Sequence, residues 1–196
     1  LTRFYRILIP LMVALVASAA GFQYHRYQQL STATEQPTAP AFTLNSAQGP
    51  LSLAQLSGQG VVLYFGYTSC PDVCPVDLGV LGSALKQLSP AEQEQVQPLF
   101  ITLDPERDSL QRMADYAAFF HPSLLPLHGS LEQISAVARS YGVIFEKTRY
   151  SNDPSLYWVS HSANFFLINP QGLLVKVLPR ETPAGELSQQ IRLLTR

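Results

Sequence analysis

The chain contains two cysteines, Cys70 and Cys74, inside the segment GYTSCPDVCP (66–75). The run before them, Val61 to Tyr67, is apolar, β-branched and aromatic, and reads as a buried strand. After them Leu78, Leu81, Leu85 and Leu88 recur at helical spacing, so a helix is expected over about 75–88, with Pro75 in its first turn. The thiols therefore sit where a strand gives way to a helix N-terminus. Unpaired N–H groups and the helix dipole favour negative charge there, which stabilises a thiolate. If the turn is helical, side chains four residues apart share a face, with about 5–6 Å between Cβ atoms. Such a pair can bind a metal when reduced or close a disulfide when oxidised. A purely structural disulfide would gain little, because so short a loop hardly restricts the unfolded chain.

Two thiolates suit a soft ion such as Cu(I), which accepts few ligands. A histidine is the expected third donor, and the chain has four. His25 flanks an apolar N-terminal run. His121 ends a predicted helix before Pro122, an ordinary place for a cation. His128 precedes Gly129 in a turn and reads as a surface residue. His161, in WVSHSANFFLI, enters a predicted apolar strand and could lie beside the cysteine turn; it reads either as a ligand or as a satisfied loop histidine.

The elements that must position these groups alternate. A second strand is expected at Leu99–Leu103, then DPERDS and a helix over about 109–120, with Asp108 as its N-cap. A helix over about 131–141 opens on the capping box Ser130…Gln133 and stops at Gly142. Val143–Lys147 reads as a strand, Asn164–Ile168 and Leu173–Leu178 as a hairpin closed by NPQG, and Thr182-Pro183 opens a last helix that buries Leu187, Ile191 and Leu194. Strand–helix alternation followed by a hairpin implies an α/β fold, a mixed central sheet flanked by helices. Net charge is −1, with no basic stripe of the kind that binds nucleic acid. Residues 1–30 carry Arg3, Arg6 and Arg26 and no acid, whereas the rest holds ten basic against fourteen acidic residues. Ile7 to Phe22 is uncharged and apolar behind two arginines, as a transmembrane anchor would be, although short of about 20 residues. Ala17-Ser18-Ala19 equally resembles a signal cleavage site, and burial as a core helix is the third reading. Residues 31–41, STATEQPTAPA, have linker composition, leaving 42–196 as the globular domain.

GYTSCPDVCP (66–75), ITLDPERDS (101–109) and SHSANFFLINPQG (160–172) together resemble the Sco/SenC family, and the resemblance extends over nearly the whole chain. It implies a thioredoxin-like fold behind a membrane anchor, with the domain on the outer, periplasmic-type face of the inner membrane. It also implies one copper, Cu(I) or Cu(II), held by Cys70, Cys74 and His161, 87 residues beyond Cys74. Asp104 looks like the family's acidic residue near the site or at a docking surface. Asp72, between the thiols, either tunes their charge or faces solvent, and Tyr67 and Trp158 pack nearby. Ser160 stands where relatives often carry Asp. The implied task is assembly of the binuclear copper centre of cytochrome c oxidase subunit II, with a separate copper donor and thiol reductant as further partners. Three activities follow from the same cysteines: a copper metallochaperone, a thiol–disulfide oxidoreductase acting on a partner's cysteines, and peroxidase-like thiol chemistry. A classical enzyme is not expected, apart from thiol–disulfide oxidoreductase activity under the second of these.

Overall fold

Strand β3 (Gly60–Gly66) is buried at every position, as a two-faced apolar run should be. The computed structural model describes residues 36–153 and 156–195, together with Ser18 and 21–23. Around β3 lies a five-stranded sheet of order β5-β4-β3-β8-β9. Its members are β4 (Val96–Thr102), β5 (Leu125–Leu127), β8 (Asn164–Ile168) and β9 (Leu174–Pro179). β3, β4 and β5 run parallel; β8 and β9 are antiparallel, which makes the sheet mixed. Two small two-stranded sheets stand apart: β1 (Thr43–Ser46) with β2 (Gly49–Ser52), and β6 (Phe145–Arg149) with β7 (Tyr157–His161).

Five α-helices lie among the described residues from 36 onward: α1 (Val73–Lys86), α2 (Pro90–Glu94), α3 (Leu110–Phe120), α4 (Leu131–Ser140) and α5 (Ala184–Leu194). α1 packs against α3 and α5. Its Leu78, Leu81 and Leu85 are fully buried, at about 1.5–3 kcal/mol of transfer free energy each. Neighbours in β3 serve opposite faces of the sheet. Tyr64 reaches Asp77 of α1, its hydroxyl donating at 2.9 Å, while Phe65 meets the Tyr141 ring beyond α4, with centroids 5.8 Å apart.

Several sequence expectations shift for physical reasons. α3 is capped by Ser109, whose hydroxyl accepts from the Arg112 N–H, so Asp108 is not the cap. β4 starts at Val96 because Pro98 lies where the strand's outer edge has no partner; β5 pairs only Leu99–Ile101. Ser89-Pro90 opens the short α2 with its own capping box. β6 begins at Phe145, two residues later than expected, and pairs with β7, a strand the sequence reading leaves out although Leu156 to Val159 is a short apolar and aromatic run. Ser130 and Gln133 form the expected capping box, and Gly142 stops α4 at φ +70°.

Among the described residues no helix is long and apolar enough to cross a membrane. The expected anchor, and the linker up to residue 35, lie outside the described residues. Residues 1–36 and 37–196 form two separate units.

Candidate metal centre

The turn 67–72 joins the end of β3 to the start of α1, and it is pinned from below. Asp108 is buried and accepts from the Thr68 N–H at 3.1 Å, from the Thr68 hydroxyl, and from the Thr102 hydroxyl at 2.7 Å. The Arg112 guanidinium donates to the Thr68 and Ser69 hydroxyls at 2.7 and 3.1 Å. At the head of α1, Asp72 is exposed and its side chain makes no cap. The cap's place is taken by sulfur: the Cys74 N–H donates to Cys70 Sγ at 3.4 Å. Gly66 lets Cys74 come this close to the strand, since a Cβ there would stand 2.9 Å from Cys74 Sγ and 2.8 Å from the Tyr64 ring.

Both cysteines are free thiols; Cys70 is half-buried and Cys74 fully buried. They share their protons unequally. The Cys74 thiol donates to Cys70, and that bond outweighs burial. With help from the His161 side chain and the N–H groups of Cys74 and Asp72, it lowers the Cys70 pKa to about 3. The same bond, together with burial, pushes the Cys74 thiol up. At neutral pH the pair is one thiolate and one thiol. Tyr67, buried beside them, is pushed up to about 12, by burial first and by the charge of Cys70 among lesser causes.

His161 is the last residue of β7, and its Nε2 lies 3.4 Å from Cys74 Sγ. Nδ1 is 3.2 Å from the Ser162 carbonyl, which can only accept, so Nδ1 carries a proton and Nε2 is the ring nitrogen turned to the thiols. Tyr67 stands edge-on to the imidazole at 6.1 Å. A cleft of ≈ 360 Å³, lined by Tyr67, Cys70, Pro71, Trp158 and His161 among others, opens over the group. The two thiols and the imidazole are neighbours rather than a finished cage: among the described residues no three His, Cys, Asp or Glu side chains stand close enough to enclose an ion. Chemically, a thiolate, a thiol and an imidazole at an open cleft can take a soft cation or exchange with a disulfide.

The other sequence candidates are placed differently. Asp104 is fully buried, and its carboxylate meets Tyr157 and Arg107. Asp72 meets the site through its backbone N–H. His128 is not a free surface residue; its Nε2 lies 3.1 Å from the Pro105 carbonyl. His121 is buried at the end of α3, with Nδ1 2.8 Å from the Ser123 hydroxyl. Trp158 is 46% exposed and stacks on Tyr150 at 4.7 Å, on the rim of the cleft. Arg107, Tyr157 and Thr68 do not stand out in the sequence, although the charge density of DPERD is a signal that this turn binds more than solvent.

The SCO1/SenC family model matches residues 31–196, most of the chain. The chain belongs to the SCO1/SenC family. It is 40% identical over 184 residues to the SCO2 homolog of mitochondria from Bos taurus, covering 91% of this chain and 68% of that protein. Among solved structures, the apo Sco1 protein of Thermus thermophilus superposes with a TM-score of 0.73 at 37% identity, covering 82% of this chain and 93% of that one. The copper-bound ScoI of Arabidopsis thaliana gives 0.70 at 35%, covering 80% and 96%. BsSco, described as having a disulfide switch and as a member of the Sco family of cytochrome c oxidase assembly proteins, shares the fold at 0.65 and 24% identity, over 82% of this chain and 95% of that one. The mixed sheet with its flanking helices is thus the thioredoxin-like fold of the Sco structures.

Proposed function

We propose that this chain binds one copper ion through Cys70, Cys74 and His161 and supports assembly of the binuclear copper centre of cytochrome c oxidase subunit II. The observation that carries this reading is the 3.4 Å approach of His161 Nε2 to Cys74 Sγ, beside the Cys70 thiolate. A sulfur and an imidazole nitrogen that share one ion at about 2.3 and 2.0 Å stand about 3.5–3.7 Å apart, so the donors need only small movements to take an ion between them. Soft sulfur ligands favour Cu(I), and copper is what the Arabidopsis relative is described as holding. Binding releases the one proton left on Cys74. With three ligands at an open cleft, an acceptor's thiols can approach the ion and replace them one at a time. Copper is cargo here, taken from a donor protein and passed on.

In this reading the working domain is the unit 37–196, with Pro37 and Ala39 hydrogen-bonded to Leu174 and Gly172, and the residues before it are a tether. Ile7–Phe22, behind Arg3 and Arg6, anchors it on the outer face of the inner membrane.

The test is a Cu(I) titration of the full 196-residue chain in detergent, reduced, against a competing chelator, with Cys70→Ser and His161→Ala alongside. One tight equivalent, lost in Cys70→Ser and clearly weakened in His161→Ala, is the expected result. Weak binding indifferent to His161 would end the three-ligand reading.

The thiolate–thiol split supports a second reading, reduction of a partner's disulfide. The Cys70 thiolate would attack one partner sulfur, and Cys74 would then release the mixed disulfide and lose its proton. The partner gains two electrons, and Cys70 and Cys74 become a disulfide that a separate reductant reopens. This reading predicts that His161→Ala leaves partner reduction intact.

A further inference from the structure

β7 carries His161, yet it is not a strand of the central sheet. One of its edges pairs with β6. Backbone groups on the other edge still need partners, and side chains supply them. The Val159 N–H donates to the Tyr67 hydroxyl at 3.2 Å, and the Tyr157 carbonyl accepts from Arg107 Nη1 at 2.8 Å. Arg107 does more at the same residue. Its guanidinium lies over the Tyr157 ring, 3.7 Å from the centroid, and its Nε pairs with the buried Asp104, whose other oxygen accepts from the Tyr157 hydroxyl at 2.7 Å. Tyr157 is therefore gripped at its carbonyl, its ring and its hydroxyl by one arginine–aspartate pair. Tyr157, Val159 and His161 lie on the same face of the strand, because side chains alternate.

We propose that Arg107 is the positioning residue for His161: by clamping the free edge of β7 at Tyr157, it sets where the imidazole stands over the two thiols. The distance makes the clamp matter. Four residues of strand span about 13 Å, so a tilt of about 5° at Tyr157 moves the imidazole by about 1 Å. Metal ligands are held to about ±0.2 Å, so that movement is several times what a metal–ligand bond tolerates. The same short turn also holds the other half of the site, since Asp108, next to Arg107, binds Thr68, two residues before Cys70. Asp104–Asp108 thus fixes the imidazole and the thiols to one piece of backbone.

This inference rests on the three-ligand reading above, and a double-mutant cycle separates the two. Cu(I) affinity of the full chain is measured by chelator competition for the parent, Arg107→Ala, His161→Ala and the double variant. Glu106→Gln, which breaks the ion pair to Lys147, the other cation over the Tyr157 ring, and leaves the Arg107 contacts in place, is the control. Arg107→Ala is expected to weaken Cu(I) about 10–100-fold, the usual effect of losing a residue that orients a ligand. The double variant is expected to bind like His161→Ala alone, because without the imidazole there is nothing left to position. The absorption spectrum of the Cu(II) complex of Arg107→Ala is expected to shift toward that of His161→Ala. Glu106→Gln should match the parent. Losses that add in the double variant, or an unchanged affinity in Arg107→Ala, overturn the positioning role while leaving the ligands standing. An unchanged affinity in His161→Ala overturns the ligand reading and this one with it. Should Arg107→Ala fail to melt as a folded protein, Arg107→Lys takes its place in the cycle; it keeps the charge beside Asp104, but one ammonium lacks the fork that reaches both Asp104 and the Tyr157 carbonyl.

Discussion

Cys70 and Cys74 are the same residue type, four positions apart, and the fold makes them opposites. Cys70 is half-exposed and ionised, with a pKa of about 3, while Cys74 is buried and protonated. Alkylation of the reduced, metal-free protein by iodoacetamide tests this directly. An ordinary thiol near pH 8.5 in pKa reacts about tenfold faster per pH unit below that value. Cys70 ionises far below this range, so its rate should be flat between pH 5 and 8. The absolute rate is a poor guide, because a thiolate of such low pKa is less nucleophilic by about two orders of magnitude. The shape of the profile decides, and mass spectrometry should place the label on Cys70. A rate that climbs with pH would mean the pair holds both protons. That the two thiols sit at a helix N-terminus is legible in the sequence, since it follows from local periodicity. Which thiol keeps the proton is not legible there. That depends on Gly66 admitting Cys74 against the strand end and on His161 arriving from 87 residues away.

At the level of elements, helices are the most legible part. The Ser130…Gln133 box and the leucine stripe of α1 are local signals, and both lie within a few residues of where the sequence places them. The elements that escape a sequence reading are short: β5 is three residues long, and in β7 the apolar run from Leu156 ends at Val159, before Ser160 and His161. Asp108 shows the same limit. Sequence logic makes it the cap of α3, but Ser109 caps the helix and Asp108 braces the cysteine turn through Thr68 and Thr102. The two roles predict different costs. Ser109→Ala removes an exposed cap and should cost about 1 kcal/mol. Asp108→Asn puts an amide donor among the Thr68 N–H and the two threonine hydroxyls and leaves a buried group without an acceptor, at about 1–3 kcal/mol. Urea melts of the two variants settle the order. Equal losses, or a larger one at Ser109, would make Asp108 part of the cap after all.

At the scale of the whole molecule, the sheet and the helix layer are joined through one buried acid that the leucine stripe of α1 hides in the sequence. Asp77 of α1 is 1% exposed, accepts from Tyr64 of β3 at 2.9 Å and pairs with Arg180 after β9 at 3.2 Å. Burial raises its pKa above the ordinary 3.8; the Tyr64 hydroxyl and the Arg180 guanidinium work the other way and lose. The sign for stability follows from linkage. Between 3.8 and its folded value the native protein binds a proton on Asp77 that the unfolded chain has released, so stability falls as pH rises through that window. Below the window both states are protonated and the deficit vanishes; above it the deficit is complete. Asp77→Asn cannot ionise. Its loss of the Arg180 pair is a fixed offset, so the stability of the parent relative to Asp77→Asn should decline from pH 4 upward and then level off. Urea midpoints of the two proteins at pH 4, 5, 6 and 7 measure that difference. A difference that is flat, or that grows in the parent's favour with pH, would mean that Arg180 and Tyr64 hold Asp77 ionised throughout, and that an ion pair rather than a protonated acid joins the sheet to its helices.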